Sequence, residues 1–378
     1  MNPPPSPLSS APENILVRGV NWLGDAVMST PALQRLREAR PRARLTLLAP
    51  EKLAGLWQGQ PILDELLVFS PSDNLGKTAR RLREKNFSAA IAFPNSLRSA
   101  LELWLAGIPQ RTGYARPLRT FFLTHAVPPR AGAVPMRKRS GPEVRELTAR
   151  GGERPVIPAS AHHIHDYLGL VSTLGATAEP LPPRIAISQE EAAKIAGALG
   201  MTAGPEGGPW FGLNPGAEYG PAKRWPAERF VAAGAALQKQ TRCRWVIFGG
   251  EGDRTLSAGI AAELQRSAPG RESVLNLAGK TTLRELIAAL KICRLLLTND
   301  TGPMHLAAAV GTPVVVLFGS TSPEMTGPCF STRAEIVRAP GIPCSPCFLR
   351  DCPIDFRCMT RLDSAAVVQA ALRVFQDF

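Results

Sequence analysis

Aromatic residues are scarce in this 378-residue chain, with Phe, Trp and Tyr together making up 6%. That is poor provision for the stacking platforms that hold single-stranded nucleic acid, and no stretch reads as a DNA-binding or RNA-binding module, so no nucleic-acid partner is expected. Long apolar runs are also missing. Nothing approaches the ~20 consecutive apolar residues that a bilayer-crossing helix needs. The opening MNPPPSPLSSAPE lacks the basic start and apolar core of a signal peptide. It reads as a disordered tail over residues 1–13, with the protein expected in the cytoplasm. Seven cysteines, an odd number without such a leader, argue against a secreted disulfide framework and for reduced thiols. Acidic residues are outnumbered, 31 against 44 Lys and Arg, for a formal charge of +13. Such a surface attracts polyanions, here phosphorylated small molecules or an anionic membrane.

What is present is enough apolar material for a folded protein, 44% hydrophobic with 20% charged, in a chain longer than one core usually organises. Asn14–Arg18 reads as a strand running into the loop Gly19–Asp25, followed by a helical stretch to about Arg40. The strand pattern returns at Ala43–Pro50 and Ala89–Phe93, with a charged helix at Thr78–Lys85 between them. Alternation of this kind predicts a parallel sheet covered by helices. From Arg111 to Arg154 apolar periodicity fades into Pro, Gly and Arg, with ten basic residues against three acidic ones, which suggests a mobile region facing a ligand. A helix over Ile164–Leu174 precedes the Pro-rich piece Glu179–Arg184, expected to be the interdomain linker. The pattern then restarts: strands at Trp210–Leu213, Arg244–Phe248, Arg294–Thr298 and Pro313–Phe318, and helices at Pro226–Gln238, Leu283–Lys291 and Pro303–Val310. The expectation is α/β with two Rossmann-like, doubly wound domains, whose strand ends meet at a shared cleft.

Three stretches can carry chemistry. In Thr298–Val314 a strand ends, a small polar turn follows, and a helix opens with Pro303 in its first turn. Helix N-terminal amides bind phosphate, so Thr301 and Gly302 suit a diphosphate and His305 adds a donor. The plainer alternative is that Asp300 caps the helix and His305 is a surface or core histidine. In Asn214–Glu228, Gly216 and Gly220 permit close backbone approach and Lys223 brings a point charge, or the loop is simply solvated. Gly24–Asp25 follows the first strand: Asp25 either accepts a proton from an attacking hydroxyl or caps a helix.

Together and in this order, VRGVNWLGDAVMSTPALQRLR, FPNSLRSALELWLAGIPQRTGY, NPGAEYGPAKRWP, FGGEGDR, NLAGKTTL and TNDTGPMHLAAAVGTPVVVLFGSTSP resemble the ADP-heptose:lipopolysaccharide heptosyltransferases of glycosyltransferase family 9. The resemblance spans about residues 14–325. NWLGD followed by PGAEYGPAKRWP is most similar to the branch that adds the second heptose. It implies a GT-B fold: an acceptor-binding domain over residues 14–179, a domain binding ADP-heptose over 180–360, and a C-terminal helix, 361–378, packing back on the first domain. It further implies transfer with inversion at the anomeric carbon. Asp25 is then the general base and Lys223 the cation on the diphosphate. Gly216 and Ala217 line the donor site, Glu251 meets the ribose, Leu277 and Ala278 flank adenine, and Asp300, Thr301, Gly302 and His305 hold heptose and phosphates. The acceptor, a heptosyl-Kdo2-lipid A type glycolipid at the inner leaflet, would meet Asn21, Trp22, Asn95, Arg98, Arg111, Arg116 and Arg119, with the enzyme peripheral at that membrane. No cofactor is required, although a bridging Mg²⁺ stays open. Transfer to another core position and a nucleotide-sugar epimerase of the same architecture are the alternatives. Cys344, Cys347, Cys352 and Cys358, spaced C-x2-C-x4-C-x5-C, raise a structural metal site beside the alternative of free thiols.

Overall fold

The computed structural model describes residues 13–202, 208–268, 273–328, 330 and 333–376. The expected N-terminal tail lies outside them apart from Glu13. The chain divides into two compact units. The first comprises residues up to Asn21, Ser29–Ala131 and Ile164–Pro180, and the second Trp22–Met28, Gly132–His163 and the chain from Leu181 onward.

The first unit is built on strands β1 (Asn14–Arg18), β2 (Arg44–Pro50), β3 (Glu65–Phe69), β4 (Ala89–Ala92), β5 (Gln110–Tyr114) and β6 (His125–Val127). They lie in the order β3-β2-β1-β4-β5-β6, every pair parallel. Parallel strands are covered on both faces, which is why β1 and β2 read as largely apolar rather than alternating, with ILV in the one and LTLLAP in the other. Leu16, Leu48, Phe69 and Ala90 pack with Leu82, Phe87, Leu103 and Ile108 into one core. At the carboxyl end of β1, Arg18 donates to buried Glu102 at 2.8 Å and lies over the Phe69 ring. Burial pulls the Arg18 pKa down while Glu102 opposes it.

The second unit repeats the plan with β7 (Trp210–Asn214), β8 (Arg244–Ile247), β9 (Val274–Asn276), β10 (Leu295–Asn299), β11 (Val314–Leu317) and β12 (Ala334–Val337). Its order, β12-β11-β10-β7-β8-β9, is the same doubly wound order as in the first sheet. Strand order reverses between β1 and β4 and again between β7 and β10. Those are the points where loops diverge and open α/β sheets bind ligands.

Two expectations are corrected. The C-terminal helix Ser364–Gln376 belongs to the second unit. It packs on β10, β11 and β12, its Val367, Ala371 and Val374 share a core with Phe211, Leu295 and Val315, and Phe375 meets the Phe211 ring at 5.1 Å. Its apolar stripe covers a sheet face of its own unit. The basic stretch Arg111–Arg154 is also more ordered than its composition suggests. It holds most of β5, all of β6 and the helix Gly141–Arg150, opened by a capping box between Ser140 and Glu143. From Gly132 it joins the second unit, where Val144 enters the core and the Arg139 amide donates to the Cys347 carbonyl at 3.0 Å. Among the described residues no helix is long and apolar enough to cross a membrane.

Candidate active site

At the reversal point of the second sheet, β7 and β10 run side by side with Asn214 opposite Thr298. The loops leaving them are stitched together: Asn214 Nδ2 donates to Thr298 Oγ1 at 3.2 Å, and Asn299 Nδ2 to the Pro215 carbonyl at 2.7 Å. Asn299 Oδ1 accepts from the Trp225 amide at 3.1 Å. This bracing presents Lys223 to Asp300, Nζ to Oδ2 at 2.6 Å, and the Thr321 hydroxyl donates to the same oxygen at 2.5 Å. Asp300 is therefore no helix cap. Thr301 occupies that position without a side-chain capping bond, and the helix Gly302–Val310 opens with its first turn beside the Lys223–Asp300 pair.

The short helix Leu23–Met28 lies against this helix end because both contact positions are glycine. A Cβ on Gly302 would sit 2.7 Å from Leu23 Cδ2, and one on Gly24 would sit 2.8 Å from His305 Cδ2. That fit brings Asp25 into a cavity of about 470 Å³ that Trp22, Lys223, Asp300, Thr301, Gly302 and His305 also line. His163 Nδ1 stands 4.0 Å from Asp25 Oδ1. His305 is buried, which pushes its pKa down to about 4 despite the nearby Asp300, so it is neutral at physiological pH. Tyr219 places its ring 5.0 Å from Lys223 Nζ and donates its hydroxyl to the Phe348 carbonyl at 2.7 Å.

Asp25, Lys223 and the start of the helix Gly302–Val310 line one cavity, and a carboxylate, a cation and a helix start are groups that can serve the displacement of a phosphate leaving group. The model for glycosyltransferase family 9 (heptosyltransferase) matches residues 143–356. The chain belongs to glycosyltransferase family 9. It is 30% identical to lipopolysaccharide heptosyltransferase 2 of Escherichia coli K12 over 337 residues, covering 86% of this chain and 87% of that one. With lipooligosaccharide heptosyltransferase 2 of Haemophilus influenzae it shares 32% over 340 residues, covering 86% and 88%. The structure of E. coli ADP-heptose lps heptosyltransferase II superposes with a TM-score of 0.74 at 27% identity, covering 96% of this chain and 99% of that one. This heptosyltransferase accordingly has the GT-B fold.

The remaining donor-side candidates of the heptosyltransferase gather at the ends of β7, β8 and β9, apart from that cavity. Gly216 runs so close to the Asp253 carboxylate that any Cβ would collide with it. Ala217, Leu277 and Ala278 are buried, whereas Glu251 is exposed and paired with Arg254 at 2.8 Å. Most acceptor-side candidates lie in the first unit and already have partners. Asn21 accepts from Arg18 at 3.3 Å, Asn95 accepts from Arg119 at 3.1 Å, and Arg98 donates to Glu102 at 2.9 Å and to the Asp73 carbonyl at 2.7 Å. Arg111 is held by the Phe122 and Ile108 carbonyls. Arg116 is exposed, while Arg119 is fully buried with Nε and Nη2 lacking a hydrogen-bond partner, and burial lowers its pKa to about 10.

Sequence reasoning did not single out His163, Lys138, Glu218, Tyr219 or Thr321, all of which line the cavity. Glu218, Tyr219 and Thr321 sit inside the motifs quoted above, so their neighbourhood was signalled but not their roles. Cys344, Cys347 and Cys358 are buried free cysteines, Cys352 Sγ accepts from the Phe356 amide at 3.3 Å, and burial pushes Cys358 up to about 12. Among the described residues no group of three or more His, Cys, Asp or Glu is disposed to hold a metal ion.

Proposed function

We propose that this heptosyltransferase moves L-glycero-D-manno-heptose from ADP-heptose to the first heptose of the lipopolysaccharide inner core, with inversion. The observation that carries the reading is the shared cavity of Asp25, Lys223 and the open helix end at Thr301–Gly302. The donor and core position follow the 27%-identical ADP-heptose lps heptosyltransferase II and the relatives named heptosyltransferase 2. The acceptor hydroxyl gives its proton to Asp25 as its oxygen bonds to the anomeric carbon. The bond from that carbon to the diphosphate breaks on the opposite face, and ADP leaves. Holding the reactants together supplies much of the rate, and the charge growing on the diphosphate is met by Lys223 and the first helix amides. Asp300 steadies Lys223 through their ion pair. Neutral His305 offers its ring nitrogens to donor hydroxyls without competing for the phosphates.

In this reading Glu251 meets the ribose hydroxyls, Leu277 and Ala278 flank the adenine, and Gly216 and Ala217 let the loop approach the diphosphate. Asn21, Trp22, Asn95, Arg98, Arg111, Arg116 and Arg119 form the side that receives a phosphorylated heptosyl-Kdo2-lipid A type acceptor, with the enzyme working in the cytoplasm against the inner leaflet. No cofactor enters the scheme. The test is turnover of Asp25→Ala with purified ADP-heptose and acceptor. A loss of roughly 10²–10⁴-fold is expected for a missing general base. Turnover near that of the unmodified enzyme would sink the mechanism.

A further inference from the structure

The first unit exposes a set of large apolar side chains that its own fold holds outward. Leu118 is 69% and Phe121 85% exposed, both on the turn between β5 and β6. Single exposed apolar residues need no explanation, but these have neighbours. Trp104 and Leu97, also exposed, stand seven residues apart on the helix Leu97–Leu105 and therefore share a face. The Trp104 ring meets the Phe122 ring edge-on at 5.4 Å, which joins that helix to the turn.

The turn is a fixed presentation. The Thr120 hydroxyl donates to the Arg116 carbonyl at 3.0 Å, the Thr120 amide donates to the same carbonyl at 3.3 Å, and the Arg116 amide donates back to Thr120 Oγ1 at 3.2 Å. The Phe122 and Leu123 amides close on the carbonyls of Arg119 and Thr120. Leu118 takes a φ of 63°, a left-handed backbone that a leucine seldom adopts, and Arg119 is buried with Nη1 on Asn95. A turn serving only to connect two strands has no need to hold Leu118 and Phe121 in water.

Charge identifies the partner. Between Phe93 and Ala131 the only acidic residue is Glu102, against Arg98, Arg111, Arg116, Arg119 and Arg130. Glu102 is fully buried and occupied by Arg18 and Arg98, so it contributes no exposed negative charge; of the arginines, Arg119 is likewise buried and Arg130 is paired with Asp166, while Arg116, on the turn itself, is exposed. Exposed apolar side chains flanking an exposed arginine match an anionic bilayer, in which both signals are needed for stable attachment. We propose that the turn Arg116–Leu123 is a membrane-docking element, Leu118 and Phe121 entering the acyl boundary while Arg116 meets lipid phosphates. The proposal deepens the proposed function and rests on it for the purpose of docking, namely access to a lipid-linked acceptor.

The test is co-sedimentation of the purified full chain with vesicles of phosphatidylcholine alone and of phosphatidylcholine mixed with phosphatidylglycerol. The protein should bind the mixed vesicles, and Leu118→Ser with Phe121→Ser should lower that binding by about tenfold or more. Arg116→Gln should lower it several-fold, and a control at exposed Ile336 of the second unit, Ile336→Ser, should leave it unchanged. Heptosyl transfer to a water-soluble, lipid-free acceptor should be equal in the double variant and the unmodified chain. Absence of that transfer from both would count against the proposed function and leave the vesicle result standing. Equal vesicle binding by the double variant, or binding that appears only when the vesicles carry the acceptor glycolipid, would overturn the docking proposal.

Discussion

Acidification should weaken the second unit through one residue, His305. Its side chain is 7% exposed, and burial lowers its pKa from 6.5 to about 4. Asp300 pulls it upward, while His162, Lys223 and His163 press in the same direction as burial. The unfolded chain therefore takes a proton on this imidazole near pH 6.5, whereas the folded protein does not until about pH 4. Because the folded-state value is the lower one, the residue costs nothing at neutral pH and penalises folding progressively as pH falls from 6.5 toward 4. At about 1.4 kcal/mol per pH unit, the full penalty is about 3 kcal/mol. Four of the six tryptophans, Trp22, Trp210, Trp225 and Trp245, lie in this unit, so urea denaturation followed by tryptophan fluorescence is weighted toward it. The denaturation should be run at steps from about pH 7.5 to about pH 4.5 on the unmodified protein and on His305→Gln. Subtracting the two curves cancels the other titrating groups, and the stability difference should move by about 2.5 kcal/mol in favour of the variant over that range. Parallel curves would refute the buried, neutral assignment.

Other perturbations follow from single contacts. Arg18→Met leaves the buried Glu102 carboxylate with Arg98 alone. It should cost the first unit about 3–5 kcal/mol in denaturant unfolding, with much of that recovered when Glu102→Leu is added. Gly24→Ala forces a Cβ to within 2.8 Å of His305. Stability should fall by about 1–3 kcal/mol and kcat should fall more than donor affinity, since Asp25 moves with the helix. Lys223→Gln removes the cation and leaves Asp300 with Thr321, and kcat/KM for the donor should drop by about 10²–10³-fold.

The parts of this fold that could be read directly were those whose local pattern and tertiary role coincide. β1, β2, β7, β10 and β11 are buried on both faces and read as apolar runs in the chain. β5, with the sequence QRTGY, does not, because its polar groups are satisfied by contacts distant in sequence, such as Tyr114 donating to the Asp166 carbonyl at 2.8 Å. The three-residue β6 and β9 are too short for any period to show. The stripe on Ser364–Gln376 was legible but its partner was not, since an apolar face says only that something must cover it. The excursion of residues 132–163 into the second unit is held by scattered contacts, Val144 in one core, Ala161 beside Met325 and Phe348 in another, and Arg139, Arg154 and His162 on backbone carbonyls, which leave no period in the sequence. In the site, Asp25, Lys223 and Asp300 were visible because each follows a strand at a point where loops diverge. Thr321 and His163 were not: a buried threonine looks like packing, and His163 reaches Asp25 only through the fold.

Under the proposed function, this heptosyltransferase adds one heptose from ADP-heptose to an inner core that already carries one. Mass spectrometry of the purified protein incubated with ADP-heptose and a core acceptor ending in a single heptose measures this directly, with acceptors ending in no heptose or in two run alongside. A product heavier by one heptose is expected from the single-heptose acceptor, none from the others, together with release of ADP. No mass increase on that acceptor, or an altered nucleotide sugar formed without any acceptor, would contradict the proposed function.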